Sequence, residues 1–209
     1  MKILQGLLSA IAAGFCIGLG GAVFLLQSEK LVGALLFCVG LYTICEMQFH
    51  LFTGRVCYAL EQPLWSWFRF PLIWIGNWLG AGLAASLLGL TRVEPVARQA
   101  ALVLVAGKNG DTLLSLFILG FFCNIFVFIA VEGYKTFPLA LGKYLAIFVS
   151  ITVFIMSGYE HSVADMFYYF MAGQMDQEAL VRLLVITGGN ICGGLTAWGA
   201  RQAARKAAG

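Results

Sequence analysis

Apolar residues along this chain are grouped into six long blocks separated by short polar stretches. The blocks cover residues 4–26, 31–60, 64–90, 112–131, 138–171 and 179–200. A helix needs about 20 consecutive apolar residues to cross the hydrocarbon core of a bilayer. The pattern therefore predicts an all-α membrane protein of six spans, with residues 1–209 forming a single transmembrane domain.

The second and fifth blocks are too long to be single straight spans. As continuous helices they would measure about 45 Å and about 50 Å, against a hydrocarbon core of about 30 Å. Both contain polar residues and glycine, as HLFTGR at 50–55 and SGYEHS at 157–162. We therefore predict two broken helices, with Gly54 supplying an unusual backbone angle at the first break. Broken backbone at membrane depth is tolerated only inside protein or along a water-filled path.

The two halves of the chain carry the same short motif in matching places. The third block contains GNWLG at 76–80 and the sixth contains GNICG at 189–193. Three spans in each half place the second half upside down in the membrane. This predicts an inverted 3+3 repeat over approximately 1–95 and 110–205, and broken helices at matching positions indicate a transport site. The apolar piece 100–106 between the halves is too short to span and predicts a surface or re-entrant helix.

The composition of the chain excludes several classes of function. The chain is 61% hydrophobic and 11% charged, which leaves no room for a large catalytic domain, and no stretch resembles a nucleic-acid-binding arm. The six cysteines lie in apolar blocks without zinc or disulfide spacing, and there are only two histidines. We therefore expect no enzyme activity, no metal or other cofactor and no nucleic-acid partner.

The basic residues give a weak orientation signal. With both termini in the cytoplasm, seven lie inside and five outside: Lys2, Arg69, Lys135, Lys143, Arg201, Arg205 and Lys206 against Lys30, Arg92, Arg98, Lys108 and Arg182. This bias has the sign of the positive-inside rule. We expect a multi-pass protein of a bacterial inner or plasma membrane with cytoplasmic termini.

Ionisable residues inside membrane spans are usually functional. Glu160 and His161 lie at the second break. A neutral imidazole there can donate a hydrogen bond to a passing anion or transfer a proton to it, although a core histidine held by hydrogen bonds is the simpler interpretation. We expect Glu160 to cap the half-helix that follows.

The first break offers a different set of polar groups. Thr53 can present a hydroxyl towards the centre of a pore. Glu46 and His50 are four residues apart, which places them on one helix face. They could form a buried hydrogen-bonded pair or a second proton-handling site. We expect the long side chain of Arg55 to reach the cytoplasmic surface or to pair between subunits.

The stretch GYEHSVADMF at 158–167 resembles the formate/nitrite transporter family. The resemblance extends to LFTG at 51–54, Cys123-Asn124 and Gly189-Asn190, and covers essentially the whole chain. It implies an aquaporin-like fold with six spans per subunit and a pentamer with one pore in each subunit. It also implies passage of formate, nitrite, hydrosulfide or similar small anions.

The same resemblance assigns roles to individual residues. It makes His161 the central histidine and Thr53 the threonine of the turn. It implies two hydrophobic constrictions that flank the histidine: Leu41 with Phe154 on the outer side, and Phe37 with Leu51 on the inner side. It implies polar residues of the vestibule and pore: Lys108, Asn124 and Asn190.

Three positions depart from the family pattern. His50 stands where a carboxylate is frequent, Arg55 stands where asparagine is frequent, and Asp165 stands where asparagine is common. These departures leave the expected fold intact and bear on substrate preference and gating.

The resulting hypothesis is a pentameric membrane channel or transporter for small monovalent anions or their weak acids, in which a central histidine assists protonation. Its partners are the anion, the lipid bilayer and further copies of the chain. The alternatives are a proton-coupled secondary transporter of a small organic anion and a neutral-solute channel on the same fold. The paired Asn-Pro-Ala turns of water channels are missing from the sequence.

Overall fold

The computed structural model describes residues 2–208, and within that range the chain is helical with no β-strand. Two short 3-10 turns, Ala59–Glu61 and Leu64–Ser66, connect the first broken helix to the next span. The α-helices are α1 Lys2–Leu25, α2 Lys30–Met47, α3 Phe52–Val56, α4 Arg69–Leu88, α5 Glu94–Gly110, α6 Leu113–Thr136, α7 Ala140–Met156, α8 Ser162–Ala172 and α9 Gln177–Ala208.

The second and fifth apolar blocks are both divided, as their lengths predicted. The second forms α2 and the short α3, and the fifth forms α7 and α8. Five helices, α1, α2, α4, α6 and α9, contain a segment long and apolar enough to cross a membrane, and α7 is a shorter apolar helix. The predicted all-α membrane fold with two broken helices is confirmed.

The backbone turns at each break through a residue with positive φ. At the first break this residue is Gln48, with φ of 56°, and its N–H bonds to carbonyls of the last turn of α2. At the second break it is Gly158, with φ of 71°. The expectation that Gly54 supplies the unusual angle was wrong. The chain turns before the LFTG segment, so Gly54 lies within α3 at ordinary helical angles.

The glycines of the GNxxG motif allow two pairs of helices to pack closely. Gly80 of α4 lies against the Ile11 carbonyl of α1, and Gly189 of α9 lies against the Phe117 carbonyl of α6. A Cβ atom at either position would collide with that backbone. Small residues at helix interfaces are the usual means of close packing in membranes. The same motif therefore holds α4 to α1 and α9 to α6.

The distribution of polar and apolar side chains is the reverse of that in a water-soluble protein. Leucines such as Leu8, Leu35, Leu83, Leu114 and Leu184 are exposed on the outer surface. The fully buried polar side chains form a central group: Thr53, Asn77, Asn124, Ser162 and Asn190. An apolar exterior around a polar interior is suited to a lipid bilayer.

The apolar piece between the halves belongs to α5, which is longer than the predicted segment. One face of α5 is buried, including Ala97, Ala101 and Val105, and this face packs towards α8 and α1. Lys108 lies near the end of the same face. The packing of α5 therefore carries a lysine into the interior.

Replacement of Gly189 with alanine should destabilise the protein, because the new methyl group would meet the Phe117 carbonyl. We expect a loss of about 1–3 kcal/mol, the usual cost of overpacking, seen as a lower midpoint in thermal unfolding of the purified protein in detergent. Gly188→Ala is the matched control, because a Cβ there makes only ordinary contacts with the Phe117 ring. Equal midpoints for the two variants would contradict the close-packing role of Gly189.

Candidate functional site

The two breaks meet at the centre of the molecule. The hydroxyl of Thr53, in the first turn of α3, lies 2.8 Å from Nε2 of His161, the residue that precedes α8. Both side chains are buried. Two residues that are far apart in sequence thus form one hydrogen-bonded pair at the point where both half-helices begin.

Asn77, the asparagine of the first GNxxG motif, holds the first break. Its amide nitrogen donates to the carbonyls of Ala10 at 2.7 Å and His50 at 3.0 Å. Its amide oxygen accepts the N–H of Phe52 at 2.8 Å. One side chain thus satisfies a carbonyl before α3 and an N–H group at its start.

Asn190, in the second GNxxG motif, holds the second break in the same way. Its amide nitrogen donates to the carbonyls of Gly120 at 2.8 Å and Glu160 at 2.9 Å. Its amide oxygen accepts the N–H of Ser162 at 3.0 Å. The resemblance selected Asn190 but not Asn77, although the repeated GNxxG motif was the signal that would have found it.

Asn124 of α6 links the two breaks. Its amide nitrogen lies 3.2 Å from the carbonyl oxygen of Thr53 and 2.7 Å from that of Asn190. Asn124 is fully buried. It therefore connects the backbone of α3 to α9, the helix whose Asn190 bonds to the start of α8.

His161 caps α8, which fixes the form of its imidazole. Nδ1 accepts the backbone N–H of Ala164 at 3.1 Å. In a neutral imidazole the proton must then be on Nε2, which donates to the Thr53 hydroxyl. The hydroxyl proton of Thr53 is left to donate to a third group. The expectation that Glu160 caps this helix was wrong, because His161 occupies the capping position and Glu160 turns to Lys108.

Lys108 lies between two carboxylates. Its ammonium contacts Glu160 and lies 2.8 Å from Asp165, and all three side chains are buried. Burial alone lowers the pKa of Lys108, but the neighbouring Asp165 and Glu160 carboxylates raise the pKa above the ordinary lysine value. The two carboxylates therefore favour the ammonium form of Lys108.

Aromatic side chains pack directly on the histidine. The Phe154 ring stacks on the imidazole of His161 with centroids 5.9 Å apart, and Phe37 meets Phe154 edge-on at 6.3 Å. Leu41 and Leu51 are also buried. Phe37 and Phe154, which the resemblance placed in different constrictions, are thus in contact with each other. Phe37 lies one helical turn nearer the start of α2 than Leu41, and it lines the same cavity as Lys108.

Two cavities approach this centre. The Lys108 cavity, of about 210 Å³, is lined by Lys108, Glu160, Asp165, His161, Phe37 and Phe154 among others. The Arg55 cavity, of about 540 Å³, is lined by His50, Arg55, Glu132, Lys135 and Arg205 among others. Within residues 2–208, no group of three or more His, Cys, Asp or Glu side chains is arranged to hold a metal ion.

Glu46 and His50 do not form the pair that their spacing suggested. The helix ends at Met47 and the chain reverses at Gln48, so the two residues do not share a helix face. Glu46 is exposed, whereas His50 lines the Arg55 cavity. Arg55 is also exposed and lines that cavity.

Comparison with known proteins gives a match over nearly the whole chain. Residues 1–202 match the family model described as formate/nitrite transporter. The chain is 28% identical to the formate channel FocA of Haemophilus influenzae, over 77% of this chain and 63% of that protein. It is 29% identical to a probable formate transporter of Methanothermobacter thermautotrophicus, over 90% of this chain and 78% of that protein. The chain thus spans less than two thirds of the Haemophilus protein.

Two solved structures share the fold. One, described as a pentameric formate channel with formate bound, superposes with a TM-score of 0.82 at 23% identity and covers 96% of both chains. The other, described as an FNT family ion channel, gives a TM-score of 0.82 at 26% identity over 95% of this chain and 89% of that one. The fold is the aquaporin-like one that was expected.

Asn77→Ala should destabilise the protein strongly, because it leaves the Phe52 N–H and the carbonyls of Ala10 and His50 without this partner. Each buried group left unpaired costs about 1–3 kcal/mol. Size-exclusion profiles and thermal unfolding in detergent measure the effect. Gln27→Ala is the control, because that exposed side chain donates only to the backbone carbonyl of Val23. An Asn77→Ala variant as stable as Gln27→Ala would contradict the role of Asn77.

Proposed function

The chain belongs to the formate/nitrite transporter family, and from this premise we propose that it is a membrane channel or transporter for a small monovalent anion or its conjugate weak acid. Formate, nitrite and hydrosulfide are the candidate substrates. The observation that carries the proposal is the Thr53–His161 hydrogen bond where the two broken helices meet. The family is one of channels and transporters rather than enzymes.

The surroundings of His161 favour a neutral form of the solute. An ionised carboxylate or nitrite that loses its water beside Phe37 and Phe154 is strongly destabilised, whereas the neutral acid is destabilised much less. The Thr53 hydroxyl and the positive end of α8 offer favourable interactions to an anion at the same place. A solute that arrives as an anion and accepts a proton there can continue through the apolar region.

His161 assists this protonation through Thr53. A proton that leaves Nε2 through the Thr53 hydroxyl neutralises the anion. For the imidazole to remain neutral, Nδ1 must gain a proton from water on the pathway, and this breaks the hydrogen bond from the Ala164 N–H. Proton supply to His161 is therefore linked to loosening of the first turn of α8.

We propose the same pathway for every solute, with the Lys108 cavity on the outer side and the Arg55 cavity on the cytoplasmic side. Phe37, Phe154, Leu41 and Leu51 form its apolar walls. The matched bonding of Asn77 and Asn190 supports an inverted repeat over approximately 1–95 and 110–205. The basic residues support cytoplasmic termini, and we propose a bacterial inner or plasma membrane as the location.

The assembly that fits this proposal is a homopentamer with one pore in each subunit. A structural neighbour is described as pentameric, and the chain exposes many large apolar side chains that lipid and neighbouring subunits can cover. Native mass spectrometry in mild detergent should give a mass of five chains. A stable monomer under those conditions would count against the pentamer.

Substitution of His161 should separate anion binding from proton transfer. The asparagine side chain of the H161N variant retains an oxygen that can accept the Ala164 N–H but has no proton to transfer near neutral pH. We expect H161N to keep formate flux with a smaller increase at acidic pH, and H161F to lose at least about tenfold of the flux because it removes both hydrogen bonds. Formate and nitrite uptake into liposomes across pH measures both effects.

Two results would contradict this function. Unchanged flux and pH dependence in both His161 variants would show that the histidine takes no part. Passage of water or glycerol without passage of any anion would favour a neutral-solute channel instead. Measurement of proton uptake alongside formate separates anion conduction from movement of formate together with a proton.

A further inference from the structure

The cluster around Lys108 contains one more negative charge than positive charge when all its groups are ionised. A single ammonium contacts the carboxylates of both Glu160 and Asp165. The three side chains are between 2% and 9% exposed. Two carboxylates that share one buried cation lie within a few ångström of each other, and such pairs favour keeping one proton between them.

Asp165 also has an oxygen without a partner. Oδ1 contacts Lys108, whereas Oδ2 is buried and makes no hydrogen bond to any residue in the described range 2–208. A buried ionised carboxylate oxygen without a donor is strongly unfavourable. A carboxylic acid removes the charge and provides a donor in its place.

Between residues 2 and 208, no cation other than Lys108 forms an ion pair with Glu160 or Asp165, although Lys30 lines the same cavity. Lys30 of α2 donates to the Met156 carbonyl, and Arg182 of α9 donates to the backbone carbonyls of Lys108 and Asp111. The titratable and charged groups around the cluster, by element, are Lys30 on α2, Lys108 on α5, Cys123 on α6, Tyr159, His161, Tyr168 and Tyr169 on and before α8, and Arg182 on α9.

We propose that Glu160 and Asp165 share one dissociable proton in the Lys108 cavity and donate it to the anion on its way to His161. This role deepens the proposed function and rests on it: the pair protonates an anion that enters from the Lys108 side, and His161 remains the donor for an anion that reaches it still ionised. Asp165 is the decisive residue, because asparagine at this position would leave Lys108 and Glu160 as a balanced ion pair with no proton to give.

The transfer is a simple acid–base step. The O–H bond of the shared carboxylic acid breaks, and the proton bonds to an oxygen of formate or nitrite, or to the sulfur of hydrosulfide. Both carboxylates are then ionised beside Lys108, and the neutral acid moves on towards His161. Water in the cavity returns a proton to the pair, so no electron changes hands and the site is restored.

The same site also regulates access. With its proton, the cluster is neutral and allows an anion to enter. Without its proton, the cluster carries a net charge of −1 and repels the next anion. Loading of an anion is therefore coupled to protonation from the solution on the side of the Lys108 cavity.

Infrared spectroscopy tests the shared proton directly in the full-length protein reconstituted in lipid. We expect the wild type near neutral pH to show a carboxylic acid C=O stretch that shifts in heavy water. D165N and E160Q should each lose this band, since each leaves one carboxylate with one ammonium. D176N is the matched control, because Asp176 is exposed and asparagine retains its cap on Ala179. No such band in the wild type, or a band that survives in both D165N and E160Q, would overturn the proposal.

Formate uptake tests the coupling. For the wild type we expect flux to decrease steeply as the pH on the Lys108 side rises. D165N should carry less formate than the wild type at acidic pH and more at alkaline pH, so that its ratio of acidic to alkaline flux falls about tenfold. The concentration of free formic acid is the same for both proteins, so this ratio reports the protein alone. Equal ratios in wild type, D165N and D176N would overturn the proposal.

Failure of this proposal can be told apart from failure of the proposed function. If wild-type liposomes carry no formate, nitrite or hydrosulfide at any pH, the proposed function fails, and the infrared result still decides whether the pair holds a proton. If the wild type carries formate but the band is absent, the function stands and the shared proton is refuted.

Discussion

The architecture depends on supplying hydrogen-bond partners to broken backbone inside an apolar environment. Neither lipid nor packed hydrocarbon can satisfy a free N–H or C=O group, and each one left unpaired costs several kcal/mol. Asn77 and Asn190 meet this requirement with the same three-bond pattern, one at each break. With those groups satisfied, two half-helices can begin at the centre and bring Thr53 and His161 together.

The glycines beside these asparagines serve the same constraint. An asparagine side chain is short, so it reaches the break and the neighbouring helix only if the backbones approach closely. Gly80 and Gly189 permit that approach because they lack the Cβ atom that would collide with the facing carbonyl. The GNxxG motif is therefore one structural unit. Its glycines allow the helices to approach closely, and its asparagine can then reach the break.

The chemistry at the centre follows from the small number of polar groups there and from the hydrogen bonds that these groups already form. The cap formed by His161 occupies Nδ1, which directs the imidazole proton towards Thr53. This favours a neutral histidine that aligns a donor. The Lys108 cluster has the opposite character, because it holds three ionisable groups in one small buried cavity. The Lys108 cluster and His161 are thereby two neighbouring but separate proton-handling groups.

The sequence by itself determined the spans, the existence and approximate location of both breaks, and the family, because these depend on block length, local composition and a distinctive stretch at 158–167. It also pointed to His161 and Thr53. Only the tertiary structure decided which residue turns the chain at the first break, which residue caps α8, and that Phe37 meets Phe154. The pairing of Lys108 with Glu160 and Asp165, and the separation of Glu46 from His50, were likewise decided by the fold.

Spacing along the chain gives the relative positions of side chains only while a helix is continuous. At a break the direction of the chain changes through two or three dihedral angles, and partners such as Lys108 come from helices remote in sequence. Their positions are fixed by packing between helices, which no local pattern records.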